Sequence, residues 1–240
     1  MICKNLNKRI IEVWKKNFDG QSTRTPLFFG ELKKECLLFV SLNPSFSDGG
    51  FKTILRDTKY EGMNHGDFFS WKPDRKDFEE YIEICIDIDT NHARKKYPKF
   101  FGKMDNFAKC IGMDYEHIDL FFHRETEQKS FKKEILNGNE LNEFGRCQME
   151  IAWDAITCSD PKVVVVANAF GSDLIKKEWH DRLTDFDDKI GTYWIELNDK
   201  KISIFFSSML TGQRALDKGS LERLKWHVKN VLDKSGRIDT

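Results

Sequence analysis

The run Cys36–Leu42 is apolar almost throughout, rich in β-formers, and cut off by Asn43-Pro44-Ser45. A short continuous apolar run closed by turn residues reads as a strand buried on both faces. Such a strand needs helices over both sides of its sheet, which commits the chain to an α/β architecture. Val163–Val166, opened by Pro161, repeats the pattern and is the strongest strand signal in the chain. Tyr115–Phe122 reads as another buried strand. Thr192–Leu197 and Lys201–Ser207 read as two more, joined at Asn198-Asp199-Lys200 by a hairpin turn.

Helical spacing fills the intervals. Leu6–Phe18, Asp77–Lys96, Tyr97–Ile111, Asn142–Cys158, Asp173–Trp179 and Leu216–Leu232 each carry apolar residues on one face. Asn43–Asp74 has little periodicity and many turn signals, and reads as a long loop, functional or mobile. Strands alternating with helices predict a three-layer α/β/α sandwich, with a mostly parallel central sheet of about four strands and right-handed crossovers. At 240 residues the chain is long enough for one such domain, with residues 1–35 as a helical extension packed on it.

Composition excludes several classes. The 39 basic residues balance the 39 acidic ones, which argues against a dedicated, strongly basic nucleic-acid binder. A neutral total still leaves local stripes, near Lys4–Lys16, Arg94–Lys103 and Arg214–Lys229, each also readable as a solvated helix face. Six cysteines without a Cys-x-x-Cys read as buried, reduced thiols and fit neither a zinc ribbon nor an iron–sulfur site. No apolar leader is visible and no run approaches the ~20 residues of a membrane span. A cytoplasmic protein without metal or cofactor, a monomer that makes no membrane contact, is the expectation.

Function is sought at the strand ends, because ligands of open α/β sheets bind beyond their carboxyl ends. Four such ends are decorated: Asn43-Pro44-Ser45, His123-Arg124-Glu125, Asn168–Ser172 and Ser207–Arg214. All four are expected on one edge of the sheet. No P-loop, dinucleotide glycine pattern, His-Glu-x-x-His or Gly-x-Ser-x-Gly accompanies them.

Phe39-Val40-Ser41-Leu42-Asn43-Pro44-Ser45 resembles the first motif of the uracil-DNA glycosylase superfamily, in its mismatch-specific and single-strand-selective branches. His65-Gly66-Asp67-Phe68-Phe69-Ser70 resembles the segment that supplies the aromatic under the flipped base. The likeness in order and spacing covers about Cys36–Leu232. Three departures stand beside it. Ser207-Ser208-Met209 replaces His-Pro-Ser, His123-Arg124-Glu125 stands where many members have Asn, and the first motif lacks flanking glycines.

The resemblance implies DNA with a flipped base as partner and hydrolysis of the N-glycosidic bond of a damaged or mismatched base. Asn43 would orient water, with Arg214, Gln213 or His123 donating to the leaving base. Pro44, Ser45, Phe69, Arg124, Glu125 and Asn168 would hold the base. Gly171, Ser172, Ser207, Ser208, Gln213 and Arg214 would contact the strand, and Leu210 would wedge into the vacated stack. The same residues have plainer readings. Asn43-Pro44 ends a strand, Phe69 and Leu210 are core, His123 is structural, Asn168 caps a helix and Asp67 is solvated. A non-catalytic nucleic-acid-, nucleotide- or protein-binding module is the alternative function.

Overall fold

The computed structural model describes residues 3–212 and 214–235. They fall into two compact units. One comprises Lys33–Leu42, Lys99–Ile118 and the chain from Ala155 onward. The other comprises the residues up to Leu32, Asn43–Pro98 and Asp119–Asp154.

In chain order the strands are β1 (Leu37–Ser41), β2 (Tyr115–Asp119), the two-residue pieces β3 (Leu136–Asn137) and β4 (Glu140–Leu141), then β5 (Val163–Ala167), β6 (Tyr193–Leu197) and β7 (Lys200–Ser207). The fold is α/β, with a mostly parallel central sheet flanked by helices. That sheet has the order β2-β1-β5-β7-β6. β1 pairs parallel with β5, from Leu37 opposite Val163 to Val40 opposite Val166. β5 pairs parallel with β7, from Val163 opposite Ser203 to Ala167 opposite Ser207. β6 adds an antiparallel edge to β7, so the sheet has five strands where about four were expected. Its turn is Asn198-Asp199, both at positive φ, the type I′ geometry that matches strand twist and that Asn and Asp tolerate.

Every residue of β5 and the first four of β1 are buried. Their alternate side chains Leu37, Phe39, Val163 and Val165 share a cluster with Phe101, Met104 and Phe107 of helix Pro98–Ile111 and with Val228 and Val231 of helix Lys218–Ser235. Helix Ala169–Glu178 packs on β5 and β7. A strand buried on both faces reads as a continuous apolar run, which is why these two were legible.

The second unit is helical. Helix Lys4–Asn17 is pinned through buried Asn7, which donates to the Phe29 carbonyl (2.9 Å) and accepts from the Phe29 amide (2.8 Å). The stretch expected to be a long loop contains helix Asp48–Leu55, capped by the Ser47 hydroxyl, and a single turn His65–Phe68. Two glycines near its start hide that first helix from propensity, and burial of Phe51 and Leu55 holds it. β2 ends at Asp119 rather than running to Phe122. The Phe122 amide donates to Gln148 Oε1 (2.8 Å) and its carbonyl accepts from the Leu27 amide (2.9 Å), so this backbone is satisfied outside any ladder. No disulfide joins the cysteines among the described residues, but only Cys36 and Cys85 are buried, and Cys110 and Cys158 are exposed.

Candidate functional site

The geometry around Asn43 begins with its amide. Asn43 Nδ2 shares its two N–H groups among three backbone carbonyls, those of Pro44 (3.2 Å), His123 (3.2 Å) and Glu125 (2.7 Å). Carbonyls only accept, so the nitrogen must face them, and the orientation of the amide is fixed by chemistry. Its Oδ1 makes no hydrogen bond among the described residues, which leaves an oriented acceptor at a half-buried position. The neighbouring backbone is joined as well. The Glu125 amide donates to the Pro44 carbonyl (3.1 Å), the Phe46 amide donates to Thr126 Oγ1 (3.1 Å), and Thr126 Oγ1 donates back to the Phe46 carbonyl (2.6 Å). Two of the decorated segments, 43–46 and 123–126, thus run side by side. Ser45 is exposed beside this clip. Glu125 is half-buried, and its Oε1 accepts from the Glu127 amide (2.7 Å).

Three residues expected to handle a base are already occupied. Phe69 is fully buried, with Phe51 at 4.7 Å and Phe68 at 4.9 Å between ring centroids, and the Arg124 guanidinium 4.7 Å from its own. It offers no open face for stacking, and its role is to pack the core. Arg124 does not reach outward either. It is buried, donates through Nε to the Thr25 carbonyl (3.1 Å), and forks onto Asp89 at 2.5 Å and 3.2 Å. Burial works against its charge, and Asp89 more than offsets that, so the guanidinium stays protonated. Asp89 lies in a π-helical stretch, Asp87–Ala93, between helices Phe78–Ile86 and Arg94–Lys96.

His123 turns into an aromatic nest. Its ring lies nearly parallel to those of Phe18 (6.0 Å, 20°) and Trp14 (6.3 Å, 29°) and edge-on to Phe144 (6.2 Å, 85°). Burial lowers its pKa, so the imidazole is neutral at pH 7, and Nδ1 has no hydrogen-bond partner among the described residues. It contributes its carbonyl to Asn43, and its ring packs among the aromatic side chains. Asp67 is exposed and pairs with Lys72 at 3.0 Å.

Sequence reasoning overlooked Asp119. It closes β2, is buried, and burial pushes its carboxyl up to about 7, against the opposing pull of Arg124. A carboxyl titrating near neutrality suits acid–base work. Inside the apolar run HIDLFF it reads as a polar interruption, and that was the one available signal.

In the sheet-bearing unit the decorated ends are also engaged. Asn168 is the N-cap of helix Ala169–Glu178, its Oδ1 accepting from the Gly171 amide (2.9 Å), so neither that oxygen nor that amide is available to a base or phosphate. Ser172 is buried and its hydroxyl bonds the carbonyls of Asn168 (2.8 Å) and, more loosely, Ser207 (3.4 Å). Ser207 Oγ donates to the Ser208 carbonyl (3.0 Å). Leu210 belongs to the core cluster with Phe101, Phe107 and Val231, and is therefore not a wedge. Ser208 is half-buried, Arg214 is exposed, and Gln213 lies outside the described residues.

Among the described residues, no group of three or more His, Cys, Asp or Glu side chains is placed to hold a metal, and no helix is long and apolar enough to cross a membrane. No protein-family model matches the sequence, and no curated protein matches it either.

Proposed function

We propose that the chain has a uracil-DNA glycosylase-like fold and hydrolyses the N-glycosidic bond of a damaged or mismatched base in DNA, with Asn43 orienting the attacking water. The observation that supports this reading is the Asn43 amide. Three carbonyls hold its nitrogen, and its Oδ1 is left as a fixed acceptor at the end of a buried strand. In such a reaction the water oxygen bonds to the anomeric carbon as the carbon–nitrogen bond breaks. The bonding pair leaves with the base, which takes up the proton that the attacking water gives up. An acceptor fixed before the reaction orders the water at no reorganisation cost. Ser45, exposed next to Asn43, suits contact with a phosphate or sugar hydroxyl.

A specific observation favours a second reading, a nucleic-acid-binding module without catalysis. Phe69 and Leu210 are both buried, so neither the stacking platform nor the wedge is in place. One experiment separates the two. Duplex and single-stranded DNA carrying uracil, hypoxanthine or xanthine is incubated with the protein and then treated with alkali. Strand cleavage that is lost in Asn43→Ala supports base excision. Cleavage no greater than that of Asn43→Ala on every substrate eliminates it, and salt-dependent binding then supports the module.

A further inference from the structure

The sheet-bearing unit contains an open pocket of about 530 Å³, within the range of small-ligand sites. One wall is helix Pro98–Ile111, which supplies Lys99, Lys103 and Asn106 at i, i+4 and i+7, a single helix face. The facing wall is helix Lys218–Ser235, which supplies Lys218, Leu221, Glu222 and Lys225, again one face. The floor is apolar, from Leu210, Ala215 and Leu216. At the floor the Leu216 amide donates to the Met209 carbonyl (2.9 Å).

Charge on the walls is lopsided. Glu222 is the one acid among the lining residues, and it is paired with Lys225 at 3.0 Å. Lys99, Lys103 and Lys218 have no ion-pair partner among the described residues and are exposed. Three like charges around one concavity repel each other unless an anion enters. Ammonium groups on flexible stems suit phosphate as point charges. One helical turn beyond Glu222, on the same helix face, stands Trp226, 62% exposed and the most exposed of the large apolar side chains described. A bare indole beside a cationic, apolar-floored pocket matches a ligand that couples several phosphate charges to a flat aromatic body.

We propose that this pocket binds nucleotide phosphates, the lysines holding the phosphate charge and Trp226 stacking on the base. The inference does not depend on base excision at Asn43. The same chemistry comes from a free nucleoside polyphosphate or from successive phosphates of a nucleic-acid strand, and the test distinguishes them.

Isothermal titration of the full chain at low salt with ATP, pyrophosphate and a single-stranded oligothymidine is the measurement. Lys103→Glu/Lys218→Glu and the milder Lys99→Gln/Lys103→Gln serve as variants, with melting curves to confirm that both stay folded. The expected result is binding of ATP, weakened at least about tenfold by the first double variant and less by the second, with Trp226→Ala weakening ATP but not pyrophosphate; a loss no greater for ATP than for pyrophosphate overturns the stacking role of Trp226. Displacement of ATP by the oligonucleotide, with a steep salt dependence, assigns the pocket to a strand. ATP binding that the oligonucleotide leaves unchanged assigns it to a free nucleotide. Absence of binding by all three probes, or equal binding by wild type and the Glu double variant, overturns the proposal.

Discussion

The clip around Asn43 and the pocket beside Leu210 both follow a strand of the sheet, and they are built in opposite ways. At Asn43 nearly every polar group is engaged. Three carbonyls share one amide, and Arg124, between the two residues His123 and Glu125 that supply two of them, is buried with Asp89 against Phe69. At the pocket Lys99, Lys103 and Lys218 stand in solvent, spaced by helix geometry and without an ion-pair partner among the described residues. A buried polar group must find its partner within the protein, because desolvation without one costs several times what a hydrogen bond contributes. An exposed charge has water and loses little by waiting for a ligand. The contrast separates residues that maintain the fold from residues available to bind.

Substitutions can break that contrast, and the largest effect belongs to the buried ion pair. Arg124→Met leaves Asp89 without its fork and is expected to cost ~3–5 kcal/mol in urea unfolding. A change below ~1 kcal/mol would mean that Asp89 finds water on its own. Next comes Asn43. Asn43→Ala gives up its carbonyl contacts and is expected to cost ~1–3 kcal/mol. Asn43→Asp sets a carboxylate against the same carbonyls and is expected to be worse than Ala, a ranking that chemical denaturation of the two variants checks.

A third measurement sharpens the picture through pH. Burial raises Asp119 to about 7, above its unfolded value near 3.8. Between these values the native chain binds more protons than the unfolded one, so this group's contribution falls as pH rises. His123 is lowered below 6.5, so its contribution runs the other way and is lost on acidification through that value. Asp119→Asn removes the first slope and leaves the second. Melts of that variant from pH 4 to 8 are expected to show stability rising with pH up to neutrality, more steeply than in the wild type. The smallest effect is reserved for Lys103→Glu/Lys218→Glu, whose stability is expected within ~0.5 kcal/mol of wild type per site, since both lysines are exposed.

These differences also explain what could be read in advance. β1 and β5 were legible because burial on both faces writes a continuous apolar run, and the hairpin because Asn198-Asp199 suits two positive φ angles. Asn43 was marked by its position after a strand. The partners of Arg124 and His123 were not legible, since Asp89 and the Trp14–Phe18 nest come from remote segments and no local periodicity reports them. Leu210 could be core or wedge on composition alone, and only packing decides. The lysine spacings were visible, but that two helix faces line one pocket is a fact of tertiary structure.

The π-helical stretch Asp87–Ala93 has a consequence for how such a chain can change over generations. A π turn closes its hydrogen bonds over five residues rather than four, and so amounts to one extra residue lodged inside an α-helix. Deleting one residue there would let the helix revert to α geometry with the flanking segments in nearly the same phase, so the side chains that turn away are those inside the stretch, Asp89 among them. Asp89 could then no longer meet both nitrogens of Arg124. Surface loops absorb insertions and deletions readily, whereas this helix would tolerate new letters more easily than a new length.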